Sequence, residues 1–172
     1  LKERAFELAD EVDEAARATS AVNTLIFGDR LRGYNTDVMG FVAALKAANV
    51  PVSQEASILG TGATARSAAY SLVSMGVRVI HVVGRRADAL SEFDQWLSSH
   101  AVDVVTHMWN ERTPSTPLTI STAIAGATDE RPLPETLGVL FDCIYAPWPT
   151  DHAARWMAAG GRVRSEEHTS EL

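Results

Sequence analysis

A short glycine-rich segment, set between an apolar strand pattern and a helix pattern, constrains the fold of this chain more than any other feature. The segment is Gly60-Thr61-Gly62-Ala63-Thr64-Ala65, and it follows the apolar run at residues 56–59. In a turn of the form G-x-G-x-x-A, Gly60 allows a tight change of direction, Gly62 lets a ligand approach the backbone, and Ala65 lets the helix pack closely on the strand. Free N–H groups at the helix start can then bind phosphate. The segment predicts a dinucleotide-binding turn, and a plain strand-to-helix turn is the alternative.

Strand and helix patterns of similar length alternate from residue 56 onwards. Strands are predicted at 56–59, 77–83, 102–105, 118–122 and 139–145, and helices at 63–75, 87–97 and 151–159. This alternation is typical of βαβ units that build a parallel sheet. We therefore predict an α/β fold with a Rossmann-type doubly wound parallel sheet.

The first fifty residues follow a different pattern. Apolar spacings of three and four predict a helix from residue 1 to about residue 18, and a strand at 21–27, a pairing strand at 31–34 and a helix at 38–48 follow. The polar connection at residues 51–55 is the best candidate for a domain boundary. We expect residues 1–50 to be the remnant of an N-terminal α/β domain and residues 51–163 to form the nucleotide-binding domain.

Composition and charge exclude several classes of protein. The 172 residues are 46% hydrophobic and 22% charged, and no run of apolar residues is long enough for a membrane span, so a cytoplasmic protein is expected. The single cysteine, Cys143, and five scattered histidines show no metal-ligand spacing, and no metal is predicted. With a net charge of −7 and no basic stripe, nucleic acid is not an expected partner.

The end of the second strand of the alternating region indicates which dinucleotide is bound. NAD-preferring enzymes usually place an acidic residue there to bind the ribose 2′-hydroxyl, whereas this chain has Gly84-Arg85-Arg86. Two guanidinium groups can bind a 2′-phosphate, which a carboxylate would repel. The pattern favours NADP, and a pair of solvated arginines is the alternative.

Five segments in order along the chain carry a family resemblance. They are Leu1-Lys2-Glu3-Arg4-Ala5-Phe6 with Ala9-Asp10, Ala21-Val22-Asn23-Thr24-Leu25, Gly33-Tyr34-Asn35-Thr36-Asp37 with Gly40-Phe41, the glycine turn, and Asp142-Cys143-Ile144-Tyr145-Ala146-Pro147 with Thr150. Together they resemble the shikimate dehydrogenase family over residues 1–163. The resemblance implies an NADP-dependent oxidoreductase of aromatic amino acid biosynthesis, with 3-dehydroshikimate and shikimate as its small-molecule substrates. The oligomeric state is not readable from the sequence, and a homodimer remains open.

The resemblance also implies roles for particular residues. Lys2 and Asp37 match the catalytic dyad, and Asn23 and Tyr145 match substrate contacts. The expected cofactor contacts are Gly60, Thr61, Gly62, Ala63, Thr64, Ala65, Arg85, Arg86, Thr122 and Cys143. Gly84 and Arg86 depart from the family pattern, which has Asn and Thr beside the arginine that clasps the 2′-phosphate.

The chemistry of ketone reduction requires a proton donor, and the Lys2 ammonium can supply one. Transfer of a hydride to a ketone needs a proton donor at the oxygen. The start of a helix disfavours the Lys2 cation, whereas a nearby Asp37 carboxylate would stabilise it, and the sequence leaves the balance open. The alternatives are a solvated lysine, an aspartate that only caps the helix after it, and an Asn23 amide that only closes the hairpin.

Both ends of the chain are expected to be irregular. Residues 164–172 resemble a translated sequencing adapter and are expected to be an artefactual, disordered tail. Family segments that would precede Leu1 and follow Val163 are expected to be missing, so that the chain is a fragment with little activity of its own. Four apolar residues are then expected to be partly exposed: Leu8, Val12, Leu25 and Phe41. A NAD-dependent quinate/shikimate dehydrogenase and a non-catalytic nucleotide-binding fragment are the alternative functions.

Overall fold

The fold consists of six helices and nine strands among the residues that the computed structural model describes, which are 1–50, 52–144 and 146–165. The helices are α1 (Lys2–Leu8), α2 (Glu14–Thr19), α3 (Asp37–Ala47), α4 (Ala63–Ser74), α5 (Ala87–Ser98) and α6 (Asp151–Ala158). The strands are β1 (Glu11–Val12), β2 (Thr24–Ile26), β3 (Arg32–Tyr34), β4 (Glu55–Leu59), β5 (Val79–Gly84), β6 (Asp103–Met108), β7 (Leu118–Ser121), β8 (Val139–Asp142) and β9 (Arg162–Ser165). None of the described helices is long and apolar enough to cross a membrane.

The larger sheet confirms the predicted α/β fold. Its six strands are all parallel and lie in the order β6-β5-β4-β7-β8-β9. In chain order this is 3-2-1-4-5-6, which is the Rossmann arrangement. The direction of winding reverses between β4 and β7, and ligands of such sheets bind at the carboxyl ends of the strands at that point.

The main core lies between this sheet and the helices α3, α4 and α5. Leu45, Leu72 and Leu97, one from each helix, are fully buried in one cluster with Ile58 and Ile80 of the sheet. Burial of side chains of this size removes them from water at both helix and strand positions, which stabilises the layered arrangement. The core therefore includes a helix from the predicted N-terminal unit.

The N-terminal segment forms a small three-stranded sheet in the order β1-β3-β2. The predicted hairpin is confirmed, because β2 pairs antiparallel with β3. The prediction of one helix over residues 1–18 is wrong, since β1 separates α1 from α2 and pairs in parallel with β3. Two carboxylates cause the interruption: Asp10 accepts a hydrogen bond from the Leu31 N–H (2.7 Å), and Asp13 caps α2 through the Ala16 N–H (2.7 Å).

The C-terminal strands differ from the prediction in two places. Strand β8 ends at Asp142 instead of residue 145, and β9 was not predicted. Arg164 and Ser165, assigned to a disordered tail, belong to β9 and pair with Phe141 and Asp142. That assignment is wrong for these two residues, because ladder pairing uses backbone groups that every non-proline residue carries. Residues 166–172 lie outside the described residues.

The exposure of apolar residues in the N-terminal segment follows the prediction at three of four positions. Leu8 is exposed, and Val12 and Leu25 are half-buried. The prediction for Phe41 is wrong: its side chain is only 7% exposed, and its ring lies 6.0 Å from the ring of Phe141. The reason is that α3 packs against α4 and thereby directs one face into the main core.

We predict that Phe41→Ala lowers the free energy of unfolding by ~3–5 kcal/mol, because it opens a cavity in the main core. Met39 lies on the same helix with 70% of its surface exposed, and Met39→Ala is expected to change stability by less than about 0.5 kcal/mol. Urea denaturation followed by circular dichroism measures both. Equal effects of the two substitutions would contradict the placement of α3 on the core.

Candidate functional site

A cavity of about 560 Å³ lies at the point where the winding of the larger sheet reverses, and we call it the switch-point cleft. It is lined by Gly60, Thr61, Gly62, Gly84, Arg85, Arg86, Trp109, Thr122, Ala123, Ile124 and Ala127. Six of the expected cofactor contacts are therefore in its wall: Gly60, Thr61, Gly62, Arg85, Arg86 and Thr122. They share this wall because each follows a strand whose carboxyl end faces the cleft.

The glycine turn between β4 and α4 has the geometry of a phosphate-binding turn. Gly60 has a φ of +124°, and a Cβ added there would overlap the Thr122 hydroxyl oxygen, so the turn requires glycine. A Cβ on Gly62 would meet no atom within 4 Å, which leaves space in front of the backbone. Gly62 is the N-cap of α4 and no side chain caps the helix, so its first N–H groups are available to an anion.

Two arginines stand at the mouth of the cleft, directly after β5. Arg85 and Arg86 are both exposed, and the Arg86 Nε lies 3.5 Å from Asp88 Oδ1. Among the described residues, Arg85 makes no hydrogen bond or ion pair. An uncapped helix start and an unpaired guanidinium on one cleft fit a dinucleotide that carries an additional phosphate.

The wall of the cleft also includes Trp109, which is not among the residues that the sequence predicts for the site. Its ring is stacked on the Arg131 guanidinium, whose Cζ lies 4.8 Å from the ring centroid. Arg131 is buried and donates to the carbonyl oxygens of Trp109 and Glu111 and to the hydroxyl of Thr113. Burial lowers the pKa of Arg131 to about 10, and the Glu111 carboxylate acts in the opposite direction. The position of Trp109, just past the end of β6, was the signal that could have placed it at the cleft.

Lys2, Asp37 and Asn23 form one hydrogen-bonded group beside the cleft. Lys2 Nζ donates to Asp37 Oδ2 at 2.5 Å, and Asn23 Nδ2 donates to Asp37 Oδ1 at 2.6 Å. Lys2 is the first residue of α1 and Asp37 the first residue of α3, and their side chains are 31% and 22% exposed. Both oxygens of the carboxylate are thus held while the ammonium remains accessible to solvent.

Asn23 closes the hairpin and also contacts the Asp37 carboxylate. Its Oδ1 accepts from the Thr36 N–H (3.1 Å), which ties the start of the hairpin to the segment after β3. Its Nδ2 donates to the Thr36 hydroxyl (2.9 Å) as well as to Asp37. The same amide therefore closes the hairpin and orients the carboxylate.

Lys2 also contacts the glycine-turn helix. Its Nζ donates to Thr64 Oγ1 at 3.2 Å, across 62 positions of sequence. Thr64 is the second residue of α4 and does not line the switch-point cleft itself. The contact places the charged group at the rim of the cleft, next to the phosphate-binding turn.

Three other expected cofactor contacts have different surroundings. Ala65 is fully buried in the main core, as its predicted packing role requires, and Ala63 is the half-buried first residue of α4. Cys143 lies outside the cleft wall and packs against the core, while its N–H donates to the Ser121 carbonyl (3.0 Å). Tyr145 lies outside the described residues.

A buried carboxylate closes the end of β8 beside Cys143. Asp142 accepts from the Thr150 hydroxyl (2.7 Å) and from the Ile144 N–H (3.1 Å). Burial raises the pKa of Asp142, and these two hydrogen bonds act in the opposite direction. The arrangement ties the segment after β8 to the start of α6.

The other titratable groups with shifted pKa values do not line the cleft. His81 bridges Glu55 (2.6 Å) and His107 (2.9 Å) across the sheet. Burial is the main cause that lowers the pKa of His107, and the charge of His81 lowers it further. His152 is fully buried beside Trp156, and burial, together with Arg155 and Arg131, lowers its pKa to about 4. His81 and His107 thus pack within the sheet, and His152 is one of the buried residues of α6.

Comparison with known proteins gives a consistent result, although no family model matches the chain. The shikimate dehydrogenase (NADP(+)) of Rhodopseudomonas palustris is 32% identical over an alignment 171 residues long, which covers 94% of this chain and 61% of that protein. The crystal structure of Mycobacterium tuberculosis shikimate dehydrogenase is 31% identical, with a TM-score of 0.77, over 98% of this chain and 66% of that one. The Thermus thermophilus shikimate 5-dehydrogenase in complex with NADP(H) and shikimate is 27% identical, with a TM-score of 0.80, over 98% and 65%. The chain thus spans somewhat under two thirds of the length of these relatives.

We predict that Arg131→Lys lowers the free energy of unfolding by ~2 kcal/mol, because buried carbonyl oxygens lose their donors. Arg131→Lys is also expected to change the fluorescence emission of Trp109. The same substitution made in a Trp109→Phe protein shows which part of the change belongs to this tryptophan. Arg112 is exposed and pairs with Glu135 at 3.7 Å, so Arg112→Lys serves as the matched control with little effect. An Arg131→Lys protein as stable as this control would show that the hydrogen bonds of Arg131 do not stabilise the segment that carries Trp109.

Proposed function

The chain belongs to the shikimate dehydrogenase family, and on this basis we propose that the protein catalyses the reversible NADPH-dependent reduction of 3-dehydroshikimate to shikimate. The observation that carries the proposal is the 2.5 Å contact between Lys2 Nζ and Asp37 Oδ2 at the rim of the switch-point cleft. A proton donor stands there next to a turn built for a dinucleotide. In this proposal residues 1–50 contribute to the substrate domain and residues 51–163 form the NADP-binding domain.

The residues of the cleft fit NADP(H) by their own chemistry. The N–H groups at the start of α4 would bind the pyrophosphate, with Gly62 leaving room for it, and Arg85 would bind the 2′-phosphate. When bound, the nicotinamide supplies the hydride that the ketone carbon accepts. Thr122 and Cys143 are the proposed backbone positions beside the nicotinamide.

Lys2 is the proposed proton donor. Its ammonium has three N–H groups, of which one donates to Asp37 and one to Thr64, so the third remains for a substrate oxygen. During reduction the ammonium would give its proton to the carbonyl oxygen, which becomes the hydroxyl, and in the reverse direction the amine would take it back. The Asp37 carboxylate holds Lys2 in place and stabilises its charged form.

Asn23 and Tyr145 are the proposed substrate contacts. The Asn23 amide is exposed, and its two Nδ2 hydrogens are donated to Thr36 and Asp37. Its Oδ1 accepts from the Thr24 hydroxyl (3.0 Å), and a substrate hydroxyl can take that place without breaking the bond to the Thr36 N–H that closes the hairpin. Because Asn23 and Lys2 both contact Asp37, their polar groups lie close together. A ketone held there would face both the proton donor and the cleft.

We predict that Lys2→Ala lowers kcat by on the order of a hundredfold or more, because the reacting oxygen loses its positioned proton donor. The measurement uses a chimera in which residues 1–163 replace the matching segment of the Rhodopseudomonas palustris relative. NADPH affinity, measured by fluorescence titration, is expected to stay within about threefold, since Lys2 does not line the cleft. Asp37→Asn is expected to behave similarly.

Near-normal turnover in the Lys2→Ala chimera would contradict the assignment of Lys2 and Asp37 as the catalytic dyad. Lys46 is the only other lysine of the chain and is exposed on α3, so Lys46→Ala is the matched control. It is expected to leave kcat and NADPH affinity unchanged.

We predict that Arg85→Ala weakens NADPH binding by about ten- to a hundredfold and leaves NADH binding nearly unchanged, because one charge-assisted phosphate contact is lost. Isothermal titration calorimetry on the 172-residue chain measures both affinities. Arg86→Ala is the comparison, since its guanidinium already faces Asp88, and a smaller loss is expected. Equal losses for both cofactors would mean that Arg85 is structural, and a preference for NADH would point to a NAD-dependent quinate/shikimate dehydrogenase.

A further inference from the structure

Helix α4 carries a stripe of hydroxyl groups on the side that faces the N-terminal segment. Thr64, Ser67 and Ser71 are spaced three and four residues apart, which puts them on one helix face. We call them the α4 hydroxyl stripe. All three contact residues of the N-terminal segment, although α4 otherwise buries mostly apolar side chains.

Two members of the stripe fix the docking of the N-terminal segment. Ser67 Oγ accepts from Asn35 Nδ2 (3.0 Å), and Ser71 Oγ lies 3.0 Å from the Val38 carbonyl, to which it donates. Ser67, Ser71 and Asn35 are buried, so these polar groups satisfy one another away from water. Because hydrogen bonds are directional, this part of the stripe sets the register in which the segment lies along α4.

The third member, Thr64, is the one that reaches the charged group. It accepts from Lys2 Nζ at 3.2 Å and is only half-buried, at the end of the stripe nearest the glycine turn. The first turn of α4 contains no acidic residue and no capping side chain, so Lys2 stands near the positive end of a helix dipole. The Thr64 oxygen and the Asp37 carboxylate are the acceptors that hold the ammonium in this unfavourable field.

A phosphate at the start of α4 would bind within the same helical turn that contains Thr64. Gly62, Ala63 and Thr64 are the N-cap and the first two residues of the helix, whose N–H groups face such an anion. The anion would reverse the sign of the local field beside Lys2. The lysine is thus linked to the phosphate-binding turn by one hydroxyl.

We propose that Thr64 is a positioning residue that couples occupation of the phosphate-binding turn to the Lys2 ammonium. This inference rests on the proposed function, because it concerns the same cofactor and the same lysine. Through Thr64, a dinucleotide bound at α4 orients the proton donor before the substrate reacts. A threonine that only begins a helix would have no such effect.

The chain offers a direct spectroscopic test, because Lys2 and Lys46 are its only lysines. Selective ¹⁵N-lysine labelling of the 172-residue chain gives one Nζ signal for each in a spectrum of lysine side chains. The probe is 2′-phospho-ADP-ribose, which carries the phosphates of NADP but no nicotinamide, so that no redox chemistry is involved. Calorimetry on the same samples measures whether the probe binds.

Four proteins are compared: the unsubstituted chain, Thr64→Val, Thr64→Ser and Ser74→Ala. Valine keeps the shape of threonine without the hydroxyl, and serine restores the hydroxyl. Ser74 is the matched control, because it is exposed on the same helix and its hydroxyl bonds only to the helix backbone at Ser71. The probe is added to saturation in each protein, as judged by its measured affinity, so that differences in affinity do not enter the comparison of the Nζ signals.

The expected result is that the probe moves the Lys2 Nζ signal in the unsubstituted, Thr64→Ser and Ser74→Ala proteins. In Thr64→Val the movement falls by more than half, and the Lys46 signal stays fixed throughout. Equal movement in Thr64→Val, or no movement in the unsubstituted chain despite binding, overturns the role of Thr64 and leaves the proposed function standing. Failure of the unsubstituted chain to bind the probe overturns both.

Discussion

The packing of α3 against α4 is the interaction on which the rest of the site depends. It buries Phe41 and Leu45 in the core of the larger sheet, and it brings Asp37, the first residue of α3, and Thr64, the second residue of α4, within reach of the same ammonium group. Hydrophobic burial supplies the stability of this contact, and the hydroxyl groups of α4 supply its register. Lys2, the proposed proton donor, and the glycine turn are neighbours because these two helices begin close to each other.

The cleft is locally positive, although the whole chain has a negative net charge. The net charge is −7, yet the cleft presents an uncapped helix start, Arg85 and Arg86, with Lys2 at its rim. Electrostatic interactions between exposed charges are screened over about 8 Å in physiological salt, so an anionic cofactor responds to these nearby groups rather than to the net charge of the chain. An acidic protein can therefore hold a phosphate-rich ligand, provided that its cations are concentrated as they are here.

The parts of the fold that were predicted correctly are those encoded within short stretches of chain. The glycine turn, the βαβ alternation and the hairpin all follow from residues that are neighbours in sequence. The errors arose where distant contacts compete with a local pattern. Residues 1–18 have helical spacing, but pairing of β1 with β3 divides them, and Phe41 belongs to the main core because α4, a separate helix, covers it. Arg164 has no strand signal of its own and pairs because β8 presents a free edge to it.

The sequence by itself determined that a glycine turn of the G-x-G-x-x-A form follows β4 and that arginines rather than an acid follow β5, because a turn and its flanking residues form one local unit. It also supplied Lys2, Asn23 and Asp37 as candidates, through their resemblance to known segments. Only the tertiary structure decided that one ammonium touches both Asp37 and Thr64, and that Trp109 lines the cleft on a buried arginine. Such contacts join residues tens of positions apart, and their distances depend on how helices and strands pack, which no local pattern encodes.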